Sequence, residues 1–214
     1  MRLGYHSSNL INDLKNIFKK RNLNNNFDVY DTKLFNDNFD DFWEKISCNY
    51  DFINERKSKY LNWRYCDPRG GNYIVKVVDE KDVLLGYCVL NINRYLEDYP
   101  IGYILDLLAL PGRTDAAESL IYDTVRFFDE ERINLINYLI PRGHPYQKLL
   151  GKFGFLDSRF KIHMFYNTFS DVDEISNIRN IPADRIYFSW GDLDVLPVSA
   201  PAHAFQRGRD FTRR

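Results

Sequence analysis

The stretch IGYILDLLALPGRTDAAESLIYDTVRFFDEERINLINYLIPRGHPYQKLLGKFGF, residues 101–155, decides how this chain folds. Its first ten residues are a nearly unbroken apolar run of strand length, which predicts a strand buried on both faces. Pro111, Gly112, Arg113, Thr114 and Asp115 carry turn chemistry. Between 116 and 131, Leu120, Ile121, Thr124, Val125 and Phe128 recur at helical spacing. Residues 133–140 are a second β-type run. Residues 145–153 fit a short helix that stops at Gly154-Phe155.

Working outward from this stretch, residues 72–79 and 84–93 are two β-runs joined by Glu80-Lys81-Asp82, the length of a hairpin connection. Gly86 inside the second run marks a bulge or a close backbone approach. Further upstream, Phe39, Phe42, Trp43 and Ile46 sit on one helical face, and residues 54–65 continue with Tyr60, Leu61 and Arg64 at related spacings. Residues 27–35 alternate like a strand, and 9–21 read as an amphipathic helix with a basic end. Downstream, 161–166 and 185–190 read as strands joined by a polar connection. Asp192 and Asp194 then read as a solvated turn or as a carboxylate pair. The order of elements gives an α/β (α+β) domain with a mixed, mostly antiparallel sheet.

Composition narrows the function. The chain has 214 residues, enough for one domain with a substantial core, and a net charge of −1, which gives no electrostatic case for nucleic acid. No apolar run reaches the length of a membrane span. Cys48, Cys66 and Cys88 are odd in number and lack zinc spacing, so the expected location is a reducing cytoplasm and the expected metal content is none. The expected division is a variable first segment over 1–38, a domain over 39–196 and a flexible basic tail over 197–214. In that tail Arg207, Arg209, Arg213 and Arg214 stand against Asp210.

Asp106 is the residue that chemistry singles out. It interrupts an apolar strand, where an unpaired carboxylate is costly and burial raises its pKa towards that of a useful base. The alternative is a structural carboxylate paired with an Arg or a Tyr.

The order of elements from 39 to 190, with the loop at 111–118 and the Gly154-Phe155 turn, resembles the GCN5-related N-acetyltransferase (GNAT) family. The resemblance implies a splayed sheet with helices on both faces, acetyl-CoA or another acyl-CoA as cofactor, and a small-molecule amine such as an amino sugar or amino acid as acceptor. A homodimer is compatible with it. It implies cofactor contacts at Leu108, Leu110, Gly112, Arg113, Thr114, Ala116 and Ala117. It also implies catalytic roles for Asp106, Tyr146 and His144, with Arg56 and Arg64 facing an anionic acceptor or lying on the surface. Two positions depart from the family pattern. Glu118 stands where a small residue is expected, and with Asp115 it makes a capping box. Leu150 stands where a tyrosine is expected, and Tyr146, one turn earlier on the same helical face, is its substitute. These departures favour an alternative: a non-catalytic binding or assembly module on the same fold.

Overall fold

The computed structural model describes residues 27–95, 98–158 and 180–193. The expected helix at 9–21, strand at 161–166 and tail at 197–214 lie outside the described residues, as does Asp194. Five strands, β1 (Val29–Thr32), β2 (Ile74–Glu80), β3 (Val83–Asn93), β4 (Ile101–Ala109) and β5 (Leu135–Tyr138), form one sheet in sequence order. All neighbours are antiparallel except β4 and β5. The helices are α1 (Asn38–Ser47), α2 (Ser58–Leu61), α3 (Thr114–Glu130) and α4 (Tyr146–Lys152). A π-helical turn, Asn62–Cys66, continues α2, and two 3₁₀ turns, Ala183–Arg185 and Trp190–Asp192, lie near the end. The strand β1 pairs with β2, so the sheet takes in part of the first segment.

Each face of the sheet has its own core, which is why helices cover both. On one side α3 and α4 lay Leu120, Ile121, Val125, Phe128, Leu149 and Leu150 on Val78, Leu90, Ile104 and Leu107. Each large aliphatic or aromatic side chain so buried contributes about 1.5–3 kcal/mol. On the other side Phe39, Phe42 and Ile46 of α1, with Leu61 and Tyr65, pack on Val75, Tyr87, Leu105 and Leu108.

Two local features follow from glycine. A Cβ at Gly86 would lie 2.7 Å from the carbonyl oxygen of Leu108, so the close approach expected there is real. At the end of α4, Gly154 takes φ +85°. Phe155 N–H bonds Leu150 O at 3.2 Å and Gly154 N–H bonds Gly151 O at 3.3 Å. That pairing is a Schellman motif, which needs a left-handed residue at the turn.

Three expected features change. Helix α2 begins only at Ser58, not at residue 54. Residues 185–190 are no strand of the sheet: Ile186 makes a single parallel bridge to Phe52 between the two 3₁₀ turns. The Asp115–Glu118 capping box does not form, because α3 opens at Thr114 with Arg113 as its N-cap and no side-chain cap bond.

Candidate active site

The strands β4 and β5 pair only from Ile101↔Leu135 to Ile104↔Tyr138. Beyond Ile104, β4 runs on to Ala109 with β3 on one side and no strand partner on the other among the described residues. A gap therefore opens along the last residues of β4, and two of its amides face that gap. Leu107 N–H donates to the Tyr187 hydroxyl at 2.9 Å. Ala109 N–H donates to the Tyr146 hydroxyl at 3.0 Å. These phenols thus occupy backbone donors that strand pairing would otherwise satisfy.

A bulge sets the chemistry of β4. Val89 faces Asp106 and Leu90 faces Ile104, so Leu105 is an extra residue. Ile104 packs in the α3 core and Leu105 in the opposite one. After the bulge Asp106 also turns to the α1–α2 side, where Tyr87 and Tyr187 lie.

Asp106 is fully buried and fully partnered. Arg56 Nε donates to Oδ2 at 2.9 Å, Tyr87 to Oδ2 at 3.0 Å, and Tyr187 to Oδ1 at 2.6 Å. The same guanidinium donates through Nη2 to Asp192 Oδ1 at 2.7 Å and through Nη1 to Asn54 O at 2.8 Å. Asp192 is itself anchored, accepting from Asn54 Nδ2 at 2.8 Å and from Ser189 N–H at 2.9 Å. It is therefore not a solvated turn residue. One guanidinium faces two buried carboxylates, which leaves the cluster short of one positive charge. Burial raises the Asp106 pKa; Arg56 opposes the rise and Asp192 adds to it.

Around the gap stand rings. His144 is buried, with ring centroids 4.7 Å from Tyr146, 6.0 Å from Tyr187 and 6.4 Å from Tyr50. Its Nδ1 accepts the Tyr146 N–H at 3.2 Å. The neutral ring then carries its proton on Nε2, a buried donor with no partner among the described residues. Burial lowers its pKa from 6.5 to about 4. Burial also raises the Tyr146 and Tyr187 phenols, which keeps both protonated at neutral pH. The hydroxyls of Tyr187 and Tyr138 lie 3.4 Å apart.

The expected cofactor contacts line the turn after β4. Leu108, Ala116 and Ala117 are buried. Gly112 has φ +78° and open space where a Cβ would stand. Arg113 Nε bonds Asp115 at 3.1 Å, and its guanidinium stacks 5.1 Å over Phe27. Glu118 reaches Lys152 of α4 at 3.7 Å and so ties the two helices together. Neither expected acceptor arginine lies free on the surface. Arg56 is inside the carboxylate cluster, and Arg64 donates to Leu193 O at 2.6 Å and to Gly191 O at 3.3 Å. Tyr187 is the central residue that the sequence reading missed. The signal was Asp106 itself, since a carboxylate in an apolar strand calls for donors from elsewhere.

Among the described residues no group of three His, Cys, Asp or Glu side chains is placed to hold a metal ion, and no helix is long and apolar enough to cross a membrane. No protein-family model matches the chain. No curated protein matches it either. Solved structures do. A transcriptional regulator from Bacillus halodurans C-125 is 13% identical, with TM-score 0.52, over 65% of this chain and 99% of its own. A proposed acetyltransferase from Agrobacterium tumefaciens str. C58 is 11% identical, with TM-score 0.51, over 65% and 99%. An aminoglycoside acetyltransferase, meta-AAC0020, from an uncultured soil metagenomic sample is 16% identical, with TM-score 0.47, over 69% and 99%. At such identities the likeness is one of architecture, and the sheet that parts after Ile104 and Tyr138 has the fold of the GCN5-related N-acetyltransferases.

Proposed function

We propose that this chain is an acyl-CoA-dependent N-acyltransferase that acts on a small amine, in the cytoplasm. The observation that carries the reading is the Tyr146 hydroxyl, 3.0 Å from the Ala109 amide, in the gap where β4 has lost β5. A thioester lying along β4 meets there a phenol kept protonated by burial, which is the state a leaving thiolate needs. In this reading Leu108, Leu110 and the 112–117 turn are the cofactor contacts, while the Leu107 and Ala109 amides hold the Tyr187 and Tyr146 hydroxyls in place. When bound, acyl-CoA supplies the activated acyl group. Asp106 supplies the proton acceptor, and the Nε2–H of His144, which has no partner among the described residues, supplies a hydrogen bond to a carbonyl oxygen.

A second reading, a non-catalytic module on this fold, is favoured by Glu118. Its carboxylate near the start of α3 adds negative charge where a pyrophosphate would sit, and its contact with Lys152 spans α3 and α4. Calorimetric titration with acetyl-CoA and with free CoA separates the two. Micromolar binding followed by thiol release in the presence of an amine panel supports the enzyme. No heat and no thermal shift at millimolar ligand would leave only the module.

A further inference from the structure

The seven residues of α4 begin behind Pro145, which has no N–H to donate and gives the helix no side-chain cap. The first free donor is the Tyr146 N–H, and His144 Nδ1 accepts it at 3.2 Å. A second bond runs the other way: Gly143, at φ +90°, donates its N–H to Gln147 Oε1 at 2.8 Å. A side chain outside the helix thus serves a donor inside it, and one inside serves a donor outside, as in a capping box. The imidazole also lies edge-on to the Tyr146 ring, with centroids 4.7 Å apart, so it meets both the backbone and the ring of that residue. Around the imidazole stand Tyr50, parallel to it within 9°, and Tyr187, whose hydroxyl is bonded to Asp106 and Leu107. Burial keeps the imidazole neutral at neutral pH, with its pKa down at about 4, so Nδ1 stays an acceptor.

We propose that His144 is the positioning residue for Tyr146, and that through Tyr146 it sets the phenol oxygen against the Ala109 amide, 3.0 Å away. The hydroxyl is the far end of a side chain whose near end His144 holds. Tyr146 is the first residue of α4, so a shift in where the helix starts swings that hydroxyl off β4. The two ring nitrogens then have separate tasks. Nδ1 holds the start of α4, and the bond it accepts fixes the tautomer that leaves the proton on Nε2. The hold is a property of the folded chain, and its consequence for turnover rests on the acyltransferase reading.

The test separates the two nitrogens. His144→Asn keeps an acceptor at the Nδ1 position, and His144→Gln keeps a donor at the Nε2 position. Amide hydrogen exchange at Ala109, read against amides in the middle of β3, reports whether the Tyr146 hydroxyl is in place, with Tyr146→Phe as the standard for its loss. His144→Gln should speed Ala109 exchange about fivefold, as Tyr146→Phe does, and His144→Asn should leave it near wild type. With acetyl-CoA and an amine panel, His144→Gln should lower kcat about 10-fold or more, leave the Kd for acetyl-CoA unchanged and cost nothing further in a Tyr146→Phe background. Nitrogen NMR of the wild-type imidazole should show Nδ1 without a proton. A proton on Nδ1, Ala109 exchange unmoved in His144→Gln, or equal acceleration in both variants overturns the hold. Wild type that binds no acyl-CoA removes the acyltransferase reading, and the exchange and tautomer measurements still decide the hold.

Discussion

The Tyr146 hydroxyl accepts the Ala109 amide proton at 3.0 Å, joining the first residue of α4 to the last residue of β4. The bond spans the gap between the parted strands, where β5 no longer reaches β4. Tyr146→Phe keeps the ring and removes the acceptor. The loss of one buried hydrogen bond should lower stability by about 1 kcal/mol, read as a shift in urea midpoint. Turnover should fall about 100-fold or more while the Kd for acetyl-CoA changes little. If steady-state kinetics show kcat intact, Tyr146 is only a brace.

Arg56 holds two carboxylates, Asp106 and Asp192, with nearly no exposure of any of the three. Arg56→Met fills most of the same space and strands both anions in the interior. Breaking one side of a buried ion pair costs about 3–5 kcal/mol. The variant should therefore melt far below wild type. Adding Asp106→Asn should recover part of the loss, since one stranded charge is then neutral. An Arg56→Met protein as stable as wild type would mean that the cluster contributes nothing to folding.

His144 gives a pH dependence with a definite sign. Its folded pKa, about 4, lies below the ordinary value of 6.5 because burial disfavours the imidazolium. Between those values the unfolded chain binds the proton and the folded chain does not, so stability rises with pH. The contribution is whole above pH 6.5 and is lost progressively as pH falls towards 4. Its full size is on the order of 3 kcal/mol. Chemical denaturation from pH 7 to pH 4 should show a steeper loss for wild type than for His144→Gln. Parallel curves would contradict the burial argument.

Glu118 tests the anion site. Glu118→Ala removes a carboxylate from the first turns of α3 together with its contact to Lys152. Removing like charge beside a polyanion is worth roughly 1 kcal/mol at a partly exposed site, so acetyl-CoA should bind about fivefold tighter at low salt. Raising the ionic strength should shrink the gain. Unaltered affinity would place the pyrophosphate away from this turn.

Much of the architecture was legible because periodicity carried it. The apolar run of β4, the helical stripe of α3 and the Gly154-Phe155 stop are local signals, and local signals survive folding. What was not legible depends on distant partners. Nothing near Arg56 in sequence announces Asp106, fifty residues on. Residues 185–190 alternate like a strand, yet Tyr187 and Ser189 turn inward to serve Asp106 and Asp192. The apolar neighbours hid that polar task. The Leu105 bulge left no trace, since an extra leucine in a run of leucines changes no pattern.

That extra leucine has a consequence for the lineage of the site. Register against β3, and not the number of residues in β4, decides which side of the sheet receives the acid. Excise Leu105 and regular alternation returns: Ile104 still faces Leu90, Asp106 still faces Val89, and the carboxylate keeps its side. Relatives able to share this acid therefore need the aspartate opposite the residue equivalent to Val89, with or without the extra leucine.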